Sequence, residues 1–104
     1  MDFEKEVLKG LAEKNYSIAL TYSSQVLSRC TDSMKFLGYK LEAMVGLNKI
    51  GEAIEFTTKF QGQFIENAEF LFWRGRLLIY NGNMDKGKQY LREALNKDPD
   101  NVLF

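Results

Sequence analysis

Small residues recur along this chain at a fixed interval. Ala19, Ala53 and Gly87 stand 34 positions apart, the apolar residues Tyr16, Ile50 and Met84 keep the same step, and Leu37 and Leu71 repeat it upstream. An interval of that length holds two helices and a turn, too little for a domain of its own. Each helix pair has an apolar face it cannot bury alone, so the pairs must stack, and about three are needed for stability. With 104 residues there is room for about three. The repeat therefore predicts an all-α chain, read as a single domain with units at about 1–33, 34–67 and 68–101.

Apolar residues at three- and four-residue spacing mark six helical segments. The first runs from about Asp2 to Glu13 with Phe3, Val7, Leu8 and Leu11 on one side. Asn15 caps the second, Tyr16 to Arg29, whose inner face is Tyr16, Ala19, Leu20, Ser23, Val26 and Leu27. Asp32 or Ser33 opens a third helix to about Leu47, carrying Leu37, Leu41 and Met44. After Asn48-Lys49 a fourth spans about Gly51 to Gln61, with Ala53, Ile54, Phe56, Thr57 and Phe60. Asn67 caps the fifth, which carries Leu71, Gly75 and Leu78 and ends at Asn81-Gly82. Gly75 fits a place where the partner helix crosses closely. Asn83 is the expected cap of the sixth, with Gly87, Leu91, Ala94 and Leu95, and Pro99 stops it. Asn101 and the apolar Val102-Leu103-Phe104 read as the first turn of another helix, so the chain is expected to be a piece of a longer array.

Composition narrows the function. Fourteen basic and 14 acidic side chains balance to zero, which leaves no basic excess for nucleic acid or an anionic membrane surface. Histidine is absent, removing His-dependent triads, His–metal clusters and the usual proton shuttle near neutral pH. The carboxylates are scattered at salt-bridge spacing on polar helix faces, as solvated surface charge is. Neither an enzyme nor a cofactor or metal site is expected. Cys30, the only cysteine, allows no intrachain disulfide and suits a reducing compartment; a buried or inert thiol is expected. No apolar run of 18 residues and no cleavable signal pattern occurs, so a soluble cytoplasmic protein is expected.

The third unit, "AEFLFWRGRLLIYNGNMDKGKQYLREALNKDPDN", resembles the tetratricopeptide repeat (TPR) almost throughout: Leu71, Gly75, Leu78, Gly82, Gly87, Leu91, Ala94 and Pro99 fall on its pattern. Gly87 stands where alanine is usual, and Arg74 where an apolar residue is usual. The second unit is looser, with Leu41 at the small position and Thr57 and Phe60 inverting the usual order of large and small. The first matches mainly in "KNYSIAL". The resemblance implies a right-handed α-α superhelix of about three TPR helix pairs, non-catalytic, with an inner face that binds proteins. A finer resemblance, to the middle repeats of J-domain co-chaperones of DnaJ subfamily C, rests on Lys40, Glu42, Leu47, Glu52, Ala53, Asn67, Ala68, Glu69, Arg74, Gly75, Leu78 and Tyr80. It implies heat-shock chaperones or their clients as partners of the parent protein. The His-Pro-Asp tripeptide of a J domain is not in this sequence.

Many co-chaperone repeats hold an acidic C-terminal tail in a clamp of lysine, asparagine and arginine donors. The positions corresponding to that clamp here are Glu4, Leu8, Tyr39, Glu69 and Trp73, none of which matches, and two of which repel a carboxylate. A frame shifted by one repeat, through Gly38, Glu42 and Trp73, does no better. In the family's frame the groove is instead lined by Tyr39 and Glu42 in the second unit and by Phe72, Trp73, Arg76, Ile79 and Tyr80 in the third. Trp, Tyr and Arg carry most binding energy at interfaces, so these seven form the candidate partner-binding groove. Two readings stand open: the aromatic residues meet a partner, or Phe72 and Trp73 are core of a longer array and the repeats are a structural spacer serving assembly. The last helix pair, left without a polar-faced cap, is a candidate for self-association.

Overall fold

The structure, a computed structural model, describes residues 2–30, 32–64 and 66–99. Among them are six α-helices and no strand: α1 (Phe3–Ala12), α2 (Tyr16–Arg29), α3 (Met34–Gly46), α4 (Ile50–Phe64), α5 (Ala68–Tyr80) and α6 (Met84–Lys97). The expected helix start at Asn101 through Phe104 lies outside the described residues.

Side-chain caps set several of the starts. Asp2, Asn15, Ser33 and Asn67 each accept a hydrogen bond from the backbone N–H three residues on, satisfying a donor that the helix cannot. Asn83 precedes α6 as expected but makes no side-chain capping bond. Helix α4 begins at Ile50 and runs past the expected end at Gln61 to Phe64. The reason lies in its rings: Phe56, Phe60, Phe64 and then Phe70 of α5 follow one another at centroid distances of 5.0, 6.1 and 5.8 Å. The extra turn brings Phe64 onto Phe70, which is fully buried.

The 34-residue step reappears in the backbone. Lys14, Asn48 and Gly82 all adopt positive φ, at 59°, 60° and 91°. Around them Asn15 N–H donates to Gly10 C=O, Lys49 to Met44 and Asn83 to Leu78, at 2.7, 2.8 and 2.8 Å. These are C-terminal locks of Schellman type, in which a left-handed residue lets the next N–H reach back over the last turn. One helix–turn solution is thus written three times. Only Gly82 adopts it without the steric cost that Lys14 and Asn48 bear.

The chain divides into two compact units, residues 1–49 and 50–104. In the first, α2 packs against both α1 and α3. One cluster of its buried residues is Val7, Ala19 and Ala43, with Leu11, Tyr16, Leu20, Tyr22, Phe36 and Tyr39 packed around it. Glu4 of α1 pairs with Lys35 of α3 at 2.5 Å and accepts a bond from the Tyr39 hydroxyl at 3.4 Å. The Glu4 carboxylate holds the Lys35 ammonium above its ordinary pKa, first by hydrogen bonding and then by charge. In the second unit α5 packs on α4 and, most extensively, on α6. Gly75 and Gly87 bring the two helix backbones together there. A Cβ on Gly75 would lie 2.8 Å from the Gly87 carbonyl oxygen, and one on Gly87 would lie 2.8 Å from that of Gly75. Gly75 therefore sits at a close crossing, as expected. The Gly87 departure from alanine has the same cause.

Candidate functional site

Helix α5 has two unlike sides. Phe70, Leu71, Arg74, Gly75, Leu77 and Leu78 are buried. On the other side Glu69, Phe72, Arg76 and Tyr80 recur at three- and four-residue spacing and form one stripe.

The stripe is organised around Arg76. Its guanidinium carbon lies 4.6 Å from the centroid of Trp73 and 5.5 Å from those of Phe72 and Tyr80. Arg76 Nε and Nη2 both donate to the Tyr80 hydroxyl, at 3.3 and 2.8 Å. The Phe72 and Trp73 rings are neighbours at 6.4 Å. A planar cation stacked on aromatic faces is attracted by their quadrupoles, and the hydroxyl fixes its rotation. Tyr80 is 50% exposed and Arg76 and Phe72 are half-buried, but Trp73 is only 6% exposed. Trp73 is the floor on which the arginine rests. Glu69, two turns earlier, keeps an exposed surface, yet the atoms crowding its carboxyl displace enough water to push its pKa up.

Four of the seven candidate groove residues are therefore brought together, with Phe72, Trp73 and Tyr80 gathered around Arg76. Ile79 is directed elsewhere: its Cγ1 lies 2.6 Å from where a Cβ on Gly87 would be, so it fills the space over that glycine and packs on α6. The close crossing claims a side chain that the family's frame assigns to the groove. Tyr39 and Glu42 lie on α3, in the first unit. Tyr39 meets Phe36 edge-on at 5.4 Å and packs on the unit's core, and Glu42 is exposed.

Sequence reasoning noted Arg74 as a departure but missed what it does. Its side chain is 9% exposed, inside the second unit. Nη1 donates to Thr57 Oγ1 at 2.9 Å, Thr58 Oγ1 at 3.1 Å and the Ile54 carbonyl at 3.5 Å, and the guanidinium lies 5.5 Å from the Tyr90 centroid. Both threonine hydroxyls donate to the Ile54 carbonyl, at 2.7 and 3.0 Å. Among the described residues no carboxylate pairs with Arg74, and its Nε finds no hydrogen-bond partner there. A signal was present in the adjacent mid-helix threonines, which commonly bond back to the carbonyl one turn earlier.

Among the described residues no cluster of three or more His, Cys, Asp or Glu side chains could hold a metal ion. No helix there is long and apolar enough to cross a membrane. Cys30 is exposed, not buried: it ends α2 and borders an open cavity of about 330 Å³ lined by Phe3, Gln25, Val26 and Arg29.

The paired helices, the left-handed turn and the close small-residue crossing of α5 and α6 together decide what this part of the chain is similar to. Residues 68–101 match the tetratricopeptide repeat family. The TPR match covers α5, its turn and α6, where the sequence pattern is fullest. Repeats of this kind are interaction scaffolds without catalytic chemistry, presenting extended surfaces to other proteins. No curated protein matches the chain.

Proposed function

We propose that this chain is a non-catalytic protein–protein interaction module, built as TPR units at about 1–33, 34–67 and 68–101, and that it docks a partner on the Phe72–Trp73–Arg76–Tyr80 face of α5. The observation that carries this reading is the fixing of Arg76 by three rings and a hydroxyl. A surface arginine ordinarily keeps its rotamer freedom. Here that freedom is already lost, so less ordering remains to oppose association. The test is comparative capture: the wild-type chain and an Arg76→Ala/Tyr80→Ala variant of unchanged helicity are used as baits, with Leu95→Lys on α6 as control. Proteins held by the wild type and the control should be lost from the α5 variant. Identical sets from all three would refute the reading.

The co-chaperone assignment belongs here too. Its support is the residue pattern from Lys40 to Tyr80, and it places the parent protein in the cytoplasm, working on heat-shock chaperones or their clients. The empty clamp positions mean that acidic chaperone tails should bind this segment weakly or not at all. Calorimetry giving a micromolar Kd, about −8 kcal/mol, would contradict that.

The burial of Trp73 favours a second reading, the structural spacer, and α6 adds to it. Met84 and Leu95 are 46% and 41% exposed. Their counterparts two repeats earlier, at 16 and 27, are covered: the Tyr16 ring lies against Gly46 of α3, and Leu27 is 5% exposed. The apolar side of α6 is thus open where that of α2 is closed, and self-association through it is expected. Sedimentation showing a strict monomer at high concentration would count against it.

A further inference from the structure

We infer that Arg76 is the anchor for an acidic side chain, an aspartate or glutamate flanked by aromatic or apolar residues, in the protein segment that docks on α5. This deepens the reading of α5 as a docking face and rests on it. The argument begins with donors. A guanidinium has five N–H groups in a rigid fork. The Tyr80 hydroxyl takes one from Nε and one from Nη2, leaving one on Nη2 and two on Nη1, of which one pair lies parallel at the end of the fork. Among the described residues no carboxylate pairs with Arg76. Glu69, the acid on the same stripe, stands seven residues away, roughly 10 Å along the helix, beyond direct contact. The face thus presents one stacked cation with a planar end edge and, among the described residues, no counter-ion.

The chemistry of that edge selects the ligand. Two parallel N–H groups in a plane match a carboxylate, which accepts them bidentately. A phosphate dianion is a poorer match, since no second cation of α5 shares the stripe. A terminal carboxylate is a poorer match too, because sites that capture chain ends supply backbone N–H donors, and those of mid-α5 are spent within the helix. The rings under and beside Arg76 provide an apolar floor for whatever flanks the acid.

The test uses the whole chain and three capped tripeptides: acetyl-Phe-Glu-Phe-amide, acetyl-Phe-Gln-Phe-amide, and the glutamine peptide with a free C-terminal carboxylate. The readout is the arginine Nε–Hε NMR signals, with Arg29 and Arg92 as internal controls. The glutamate peptide should shift Arg76 saturably at millimolar concentration, about tenfold more tightly than either glutamine peptide, and leave Arg29 and Arg92 nearly still. Arg76→Lys should erase the preference by removing the fork, and Tyr80→Phe should weaken it by freeing the guanidinium while keeping the ring. Equal binding of the glutamate and glutamine peptides overturns the inference. So does an Arg76 response no larger than that of Arg92, or a terminal carboxylate performing as well as the side chain. If the comparative capture succeeds and the glutamate preference is absent, the docking face stands and its carboxylate chemistry falls.

Discussion

Replacing Arg74 by methionine should stabilise the protein. Arg74 is a permanent cation, nine-tenths buried, with no counter-ion and no partner for its Nε among the described residues. Taking an ion out of water costs several kcal/mol even after the protein relaxes around it. Against this stand three hydrogen bonds from a single nitrogen to neutral oxygens, and the contact with Tyr90. Bonds from a charged donor are worth about 1.5–3 kcal/mol each, but three acceptors here share the two N–H groups of one nitrogen. That sharing holds their sum to about 3 kcal/mol, and the cation–π contact adds about 1 kcal/mol. The favourable side thus totals about 4 kcal/mol and does not cover the cost.

Methionine keeps the length and volume of the stem and strands no partner. Thr57 and Thr58 still donate to the Ile54 carbonyl, so their hydroxyls remain satisfied. The expected gain is about 1–2 kcal/mol, within the range seen when buried charges give way to apolar residues of similar volume. In urea the midpoint should rise at unchanged slope, and on heating it should rise by about 4–8 °C for each kcal/mol. Arg74→Ala is the control, because it removes the same charge but leaves a void and should lose stability. A methionine variant less stable than wild type by 1 kcal/mol or more would refute the reasoning. It would show that the Arg–Thr–Thr network is worth more than its desolvation.

Gly87→Ala should destabilise by about 1–2 kcal/mol: the new methyl meets Ile79 and the Gly75 carbonyl, an overpacking cost of about 1–3 kcal/mol that exceeds the roughly 1 kcal/mol of helix propensity gained; denaturant titration reads it. Asn67→Ala should cost about 1 kcal/mol through the lost cap on Phe70 N–H, and Asn83→Ala only a few tenths, since Asn83 makes no side-chain cap. Glu69 should titrate above the ordinary carboxylate value of about 4.3, as carbon-detected NMR would show. Because its folded pKa is raised, its favourable contribution is present below the unfolded pKa and lost as pH rises through the folded one. Wild type should therefore gain stability relative to Glu69→Gln between pH 7 and pH 3, and a flat difference would contradict the crowding at this carboxyl.

The sequence makes backbone features legible where one residue type has one job. Asn15, Ser33 and Asn67 announce helix starts because their short side chains reach the third N–H on, and the spacing of Ala19, Ala53 and Gly87 marks where helices cross. The end of α4 was less legible. Gln61-Gly62 reads locally as a boundary, but the Phe64–Phe70 contact draws the helix a turn further, and it forms only once α4 and α5 have met. Ile79 shows a related effect. A repeat frame assigns faces as if every crossing were equally tight, and two opposed glycines make this one tighter.

Charge is where the period says least. Arg74 and Arg76 are two residues apart on one helix, and composition treats them alike. Their positions differ by about 200° around the axis, which sends one into the interior between threonine hydroxyls and a tyrosine ring and leaves the other on the surface, stacked on Trp73. The buried arginine answers to the interior of its unit, and its removal is read in stability. The surface arginine has spent its rotamer freedom on rings and a hydroxyl of its own helix while keeping three N–H groups for something outside. Trp73 mediates this division: by sinking into the helix packing it gives the guanidinium an apolar bed. Its burial belongs to the core, as the spacer reading has it, and in the proposed docking face the same ring would carry the guanidinium. Truncating it should then cost both stability and partner affinity, whereas Arg76→Ala should cost affinity alone. Equal loss of stability in both variants would show that the stack serves only the fold.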